Sequence, residues 1–199
     1  QNAVLGAVQK AAADGDLAAL QAAIKEAESM NVDGLDSFKK VEERLIEEAA
    51  LMASLADAAA SKDLALLKDL IKQATKKGLD GKFAKEMGDA QQSLKQLTCC
   101  EEIRAAIEKH DEAAIDAAVA KAQEAGVDAG DADIVAAGEA KKLIAVEDEL
   151  TARIVASTEA GDKDALRELL EEASKLNLEN DKVRQAKILV DREKMIKET

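Results

Sequence analysis

Apolar residues recur along this chain at intervals of three and four with charged residues between them, which is the period of a helix and not the alternation of a strand. From about Ser37 to Ala60 the apolar positions are Phe38, Val41, Leu45, Met52, Leu55 and Ala59. A second long stretch carries Phe83, Met87, Ala90, Leu94, Leu97, Cys100, Ile103 and Ile107. A third carries Ile134, Leu143, Val146, Leu150 and Ile154, and the tail carries Val183, Ala186, Leu189 and Ile196. Each predicts a long amphipathic helix. Shorter helical patterns lie between them, separated by loops such as Lys77-Gly78-Leu79-Asp80-Gly81, short enough to make neighbouring helices run antiparallel or turn a corner.

The shorter patterns are copies of one another. AADGDLAALQAAIKEA, AASKDLALLKDLIKQA, IEKHDEAAIDAAVAKA and TEAGDKDALRELLEEA superimpose on Asp16, Asp63, Asp111 and Asp162, at steps of 47, 48 and 51 residues. Four positions after each anchor stand Leu20, Leu67, Ile115 and Leu166, and eight after stand Ile24, Ile71, Val119 and Leu170. Eleven after, the residue is always alanine (Ala27, Ala74, Ala122, Ala173), and sixteen after come Val32, Leu79, Val127 and Leu178. Those offsets keep one helix face, so each anchor opens an amphipathic helix of about four turns. Aspartate suits that place because its carboxylate accepts from orphan N–H groups at the positive helix end. Alanine suits a close helix–helix approach, and the residue at offset sixteen is expected to fold back over the helix end. The chain is thus read as one helical-repeat domain over 1–199, with repeats of approximately 1–50, 51–99, 100–149 and 150–199.

Within the first copy, Gly15-Asp16-Leu17-Ala18-Ala19-Leu20-Gln21-Ala22-Ala23-Ile24 resembles the second helix of an ankyrin repeat. The period near 48 is similar to that of the HEAT and armadillo class, whereas ankyrin repeats have about 33 residues. The chain thus resembles α-helical hairpin repeat proteins in general character and no particular family. That resemblance implies an all-α fold, a short α-solenoid or elongated helical bundle, and a binding or scaffolding role.

Composition agrees with an all-α fold. The 199 residues include no Pro, Trp or Tyr and two Phe, and about a fifth are Ala, the strongest helix former. A net charge of −13 repels a polyanion, so nucleic acid is not an expected partner, and no run of about 20 apolar residues offers a transmembrane segment. Cys99 and Cys100 are adjacent and are read as two reduced thiols on a helix, which favours a reducing, intracellular compartment without distinguishing cytoplasm from an organelle interior. The start at Gln1 points to a processed protein or a segment of a longer one.

Catalytic chemistry is hard to assemble from these residues. His110 is the only histidine, and it occupies the place held by Gly15, Lys62 and Gly161 in the other copies, as a solvent-facing hinge would. Asp128-Ala129-Gly130-Asp131-Ala132-Asp133 resembles a calcium loop only superficially. Counted from Asp128 the glycine falls third instead of sixth, so the acids are assigned to the opening of the next helix. No phosphate-binding loop or nucleophile elbow is present. No enzyme activity, catalytic residue, cofactor or metal is therefore expected.

Charge is distributed unevenly. Residues 51–99 carry net +2, while 100–149 carry net −9. Lys68, Lys72, Lys76 and Lys77 recur at helical spacing, and Lys82 and Lys85 follow past the loop. These six lysines form the candidate docking face for a protein partner with an acidic surface, with the acidic third repeat fixing its orientation by repulsion. The expected function is a non-catalytic protein–protein interaction module, scaffold or linker subunit of a larger assembly. The alternatives are a carrier of a small hydrophobic ligand or pigment, and an accessory subunit on the soluble face of a membrane complex.

Overall fold

The computed structural model describes residues 2–197, with side chains through Arg192; Ile196 of the expected tail stripe lies outside the described side chains. The described residues are all-α. In chain order the helices are α1 Asn2–Asp14, α2 Leu17–Ser29, α3 Asp36–Ala60, α4 Leu64–Lys76, α5 Ala84–Glu108, α6 Glu112–Glu124, α7 Ala132–Ala160, α8 Lys163–Lys175 and α9 Asp181–Lys197. The helices that follow the four anchors, α2, α4, α6 and α8, each have 13 residues.

The recurring residues form one recurring set of hydrogen bonds. Asp16, Asp63, Asp111 and Asp162 are all N-caps, accepting through Oδ1 from the N–H of Ala19, Leu66, Ala114 and Ala165 at 2.9–3.1 Å. The backbone N–H of the same aspartates donates to the carbonyls of Ala11, Ala58, Ala106 and Ser157, closing the helix before. One residue therefore ends one helix and begins the next. The residue before each anchor is left-handed: Gly15 and Gly161 at φ 68°, Lys62 at 55° and His110 at 53°. This explains why Gly, Lys and His share that position, where a side chain is tolerated at some strain.

At the other end of each short helix, the N–H groups of Val32, Leu79, Val127 and Leu178 donate to the carbonyls of Ala27, Ala74, Ala122 and Ala173 at 2.9–3.1 Å. Asn31, Gly78, Gly126 and Asn177 supply the left-handed turn between them. Offsets eleven and sixteen are thus the two ends of one capping bond, the Schellman closure. All four alanines are 0% exposed, leaving no room for a larger side chain. The structure adjusts one sequence expectation. Offset seven (Ala23, Leu70, Ala118, Leu169) is buried in every copy, whereas Ile71, Val119 and Leu170 at offset eight are half-buried.

The chain divides into two compact units, residues 1–98 and 99–199. Each holds two apolar clusters. In the first unit, Val8, Leu20, Ala27 and Leu45 unite α1, α2 and the beginning of α3, while Leu55, Leu67, Leu79 and Met87 unite the end of α3, α4 and the beginning of α5. In the second unit, Ile103, Ile115, Ala137 and Ile144 unite the end of α5, α6 and the beginning of α7, and Leu150, Ile154, Leu166 and Val183 unite the end of α7, α8 and α9. Each cluster is a three-helix core, and consecutive cores in a unit share one long helix, α3 or α7. Burying such stripes, and not helix propensity alone, supplies most of the stability.

Candidate functional site

The six candidate lysines separate into two groups. Lys68, Lys72 and Lys76 are exposed on α4 and, with Lys85, carry no ion pair among the described residues. Lys77 and Lys82 are engaged within the first unit. Lys77 Nζ lies 3.1 Å from Glu47 Oε2, and Lys82 Nζ lies 2.7 Å from Glu48 Oε2. Lys82 also packs near the Phe83 ring, 5.2 Å from its centroid.

Glu48 is the one buried charged side chain among the described residues, 8% exposed. It stands at the middle of α3, where the two cores of the first unit join. Lys82 arrives from the α4–α5 loop, and Arg44 one turn earlier on α3 adds a contact at 3.5 Å. The Lys82 ammonium closes over the α1–α2 turn, where a Cβ built on Gly15 would lie 3.5 Å from Nζ. A carboxylate this enclosed needs a cation and hydrogen bonds to remain charged. Lys82 is thus a plug, and only four of the six lysines remain on the candidate face.

The second unit has the same frame without the plug. Glu147 on α7 is fifteen residues before Asp162, as Glu48 is before Asp63. Its Oε2 lies 3.2 Å from Nε2 of His110, which occupies the Gly15 position at the α5–α6 turn. An open cleft of about 1010 Å³ extends from there to the α8–α9 loop. Its carboxylates are Asp111, Glu112, Asp116, Glu147, Asp148 and Glu179, carried by the α5–α6 turn, α6, α7 and the α8–α9 loop. At the rim, Lys141 meets Asp116 at 2.6 Å and Glu112 at 3.5 Å, and its hydrogen bond to Asp116 chiefly holds the ammonium pKa above the ordinary value. Asn180 fixes the loop by donating to Thr151 Oγ1 at 2.9 Å and capping α9 at Val183. The histidine expected to be only a hinge therefore also faces a carboxylate.

A difference in loop length accounts for the missing plug. The α4–α5 loop has seven residues, Lys77–Phe83, whereas the α8–α9 loop has five, Leu176–Asn180, so the segment that carries Lys82 is shortened. The anchor lies 27 residues after the first residue of α3 but 30 after the first residue of α7. The three extra residues lie before Ile144, at the start of α7; Leu45 to Leu55 on α3 and Ile144 to Ile154 on α7 are both ten residues, so the cores are equally spaced along the two helices.

A further cluster lies where α5 meets the start of α7. Cys100 Sγ and carboxylate oxygens of Asp131 and Asp133 come within 4.8 Å of one another. Both carboxylates already make bonds within the fold. Asp131 caps α7 by accepting from the Asp133 N–H at 3.0 Å, and Asp133 receives a two-pronged Arg104 guanidinium at 2.7 Å for both bonds. Asp128 accepts from the Gly130 N–H at 2.7 Å, so the acids of this loop do open a helix, as their placement predicts. Burial, followed by the charges of Asp131 and Asp133, pushes the Cys100 thiol up to about 11. Cys99 and Cys100 are both free and buried.

No helix among the described residues is long and apolar enough to cross a membrane. Compared with known proteins, the chain matches no protein-family model, no curated protein and no solved structure.

Proposed function

We propose that this chain is a non-catalytic helical-repeat protein that binds other proteins and acts as a scaffold or linker in a larger assembly. The observation carrying this reading is the division of available charge between the units. The first, with 13 basic against 16 acidic residues, presents Lys68, Lys72 and Lys76 without carboxylate partners. The second, with 15 against 25, presents the acidic cleft. Both surfaces stand on capped helices whose positions are fixed by buried cores, so little order has to be created on binding, which favours affinity. Opposite charges on separate units suit partners of opposite character, and charge complementarity governs encounter and register more than bulk affinity.

Affinity capture with the intact chain tests the reading, beside a triple Lys68→Glu, Lys72→Glu, Lys76→Glu variant. The expected result is a defined partner set, part of which is lost on reversal. Capture of nothing by the unmodified chain overturns the reading.

A further inference from the structure

We propose that the acidic cleft of the second unit is a receptor for a lysine side chain presented by a basic loop of a partner protein. The inference deepens the binding role above and rests on it. Its ligand chemistry is already displayed inside the molecule. At the Glu48 position of the first unit, a loop lysine is seated against the carboxylate at 2.7 Å with its stem over the neighbouring turn. At the matching Glu147 position, the carboxylate has the same place on its helix but the chain supplies no lysine from the corresponding loop. His110 occupies one edge, and the rest is an open volume of about 1010 Å³.

The surroundings select a cation with reach. Glu147 has only 15% of its side chain exposed, so its charge is poorly shared with water, while Asp148 beside it adds a second negative group. Ile144 and Leu178 line the same cleft and offer apolar contact to a methylene stem. A lysine has this division, an apolar stem with a compact ammonium at its tip. A planar guanidinium is less suited to the single deep carboxylate, because its fork gains most from a bidentate partner.

The test uses the full chain, isotopically labelled, and a blocked peptide with the sequence of residues 81–85, Gly-Lys-Phe-Ala-Lys, the plug of the first unit. The expected result is amide shifts confined to residues 110–116, 147–151 and 177–180. A peptide with norleucine in place of both lysines should produce none. Glu147→Gln should weaken peptide binding about tenfold while leaving the melting temperature and circular dichroism unchanged, and Asp148→Asn should weaken it less. Shifts that persist with norleucine, or that fall elsewhere, overturn the proposal. So does equal binding of an arginine peptide, or binding of spermidine without binding of the lysine peptide, which would make the cleft a polyamine site. Partner capture undiminished by Glu147→Gln, with no peptide shifts, overturns the lysine receptor and leaves the scaffold reading intact. Peptide shifts at the cleft without any captured protein support the ammonium site and overturn the scaffold reading.

Discussion

Glu48 and Glu147 hold the same place on homologous helices, yet one is sealed and the other faces an open cleft. The carboxylate is common to both and so does not account for the difference. What differs is reach. Seven loop residues bring Lys82 onto Glu48, while five loop residues, none of them lysine, leave Glu147 with His110 alone at 3.2 Å. A repeat can therefore turn a structural ion pair into an available site by changing a loop. The inner carboxylate need not be altered.

The largest expected effect comes from removing the plug. Lys82→Ala leaves Glu48 enclosed with only Arg44 nearby, and should cost about 2 kcal/mol in denaturant unfolding. This is below the cost of breaking a fully buried pair, because Lys82 is partly exposed and Arg44 remains. Glu147→Gln should cost less than about 0.5 kcal/mol, as expected where no buried pair is broken. Equal costs at the two positions would abolish the contrast. The next effect should be common to both units. Asp63→Ala and Asp162→Ala should each cost about 1 kcal/mol, since each removes one N-cap of the same geometry. A large inequality would show that the copies are less alike in energy than in form.

A smaller effect separates conformation from contact at the cleft. His110→Gly relieves a left-handed non-glycine residue and should stabilise the chain by about 0.5 kcal/mol, after allowing for the freer unfolded chain. If it destabilises instead, the His110–Glu147 contact matters more than the backbone strain. The last is absent at neutral pH and appears only under alkaline conditions. Both cysteines lie in the second unit, and Cys100 has an ordinary pKa of 9.0 raised to about 11 in the fold. Above pH 9 the unfolded thiol loses its proton first, so stability should fall between about 9 and 11. Cys100→Ala should flatten that slope in a pH series of melting curves.

Much of the fold was legible because the repeat is built from local bonds. An aspartate three residues before its N–H partner, and an alanine five before the residue that caps it, leave their spacing in the sequence. The burial preference for offset seven over eight was less visible, because Ala23 and Ala118 look unremarkable beside Ile24 and Val119. The junctions were hardest to see. Lys82 and Glu48 are 34 residues apart, and their meeting depends on how two cores pack onto α3. For the same reason the lysine stripe looked uniform, although Lys77 and Lys82 are engaged by partners on α3 and Lys68, Lys72 and Lys76 are not.

The double duty of the anchor aspartates also decides where this molecule can give. At each such corner two or three residues join helix to helix, and a single residue secures both ends. These corners are locked elbows with no slack to take up. The opposite ends of the short helices have connections of five to seven residues. Flexing should therefore collect there, and amide hydrogen exchange should be fastest in those connections and slow across all four elbows. The cleft has one wall of each kind, a locked elbow at Asp111 and the connection around Asn177–Asn180. Amide exchange should therefore be slower at the first wall than at the second.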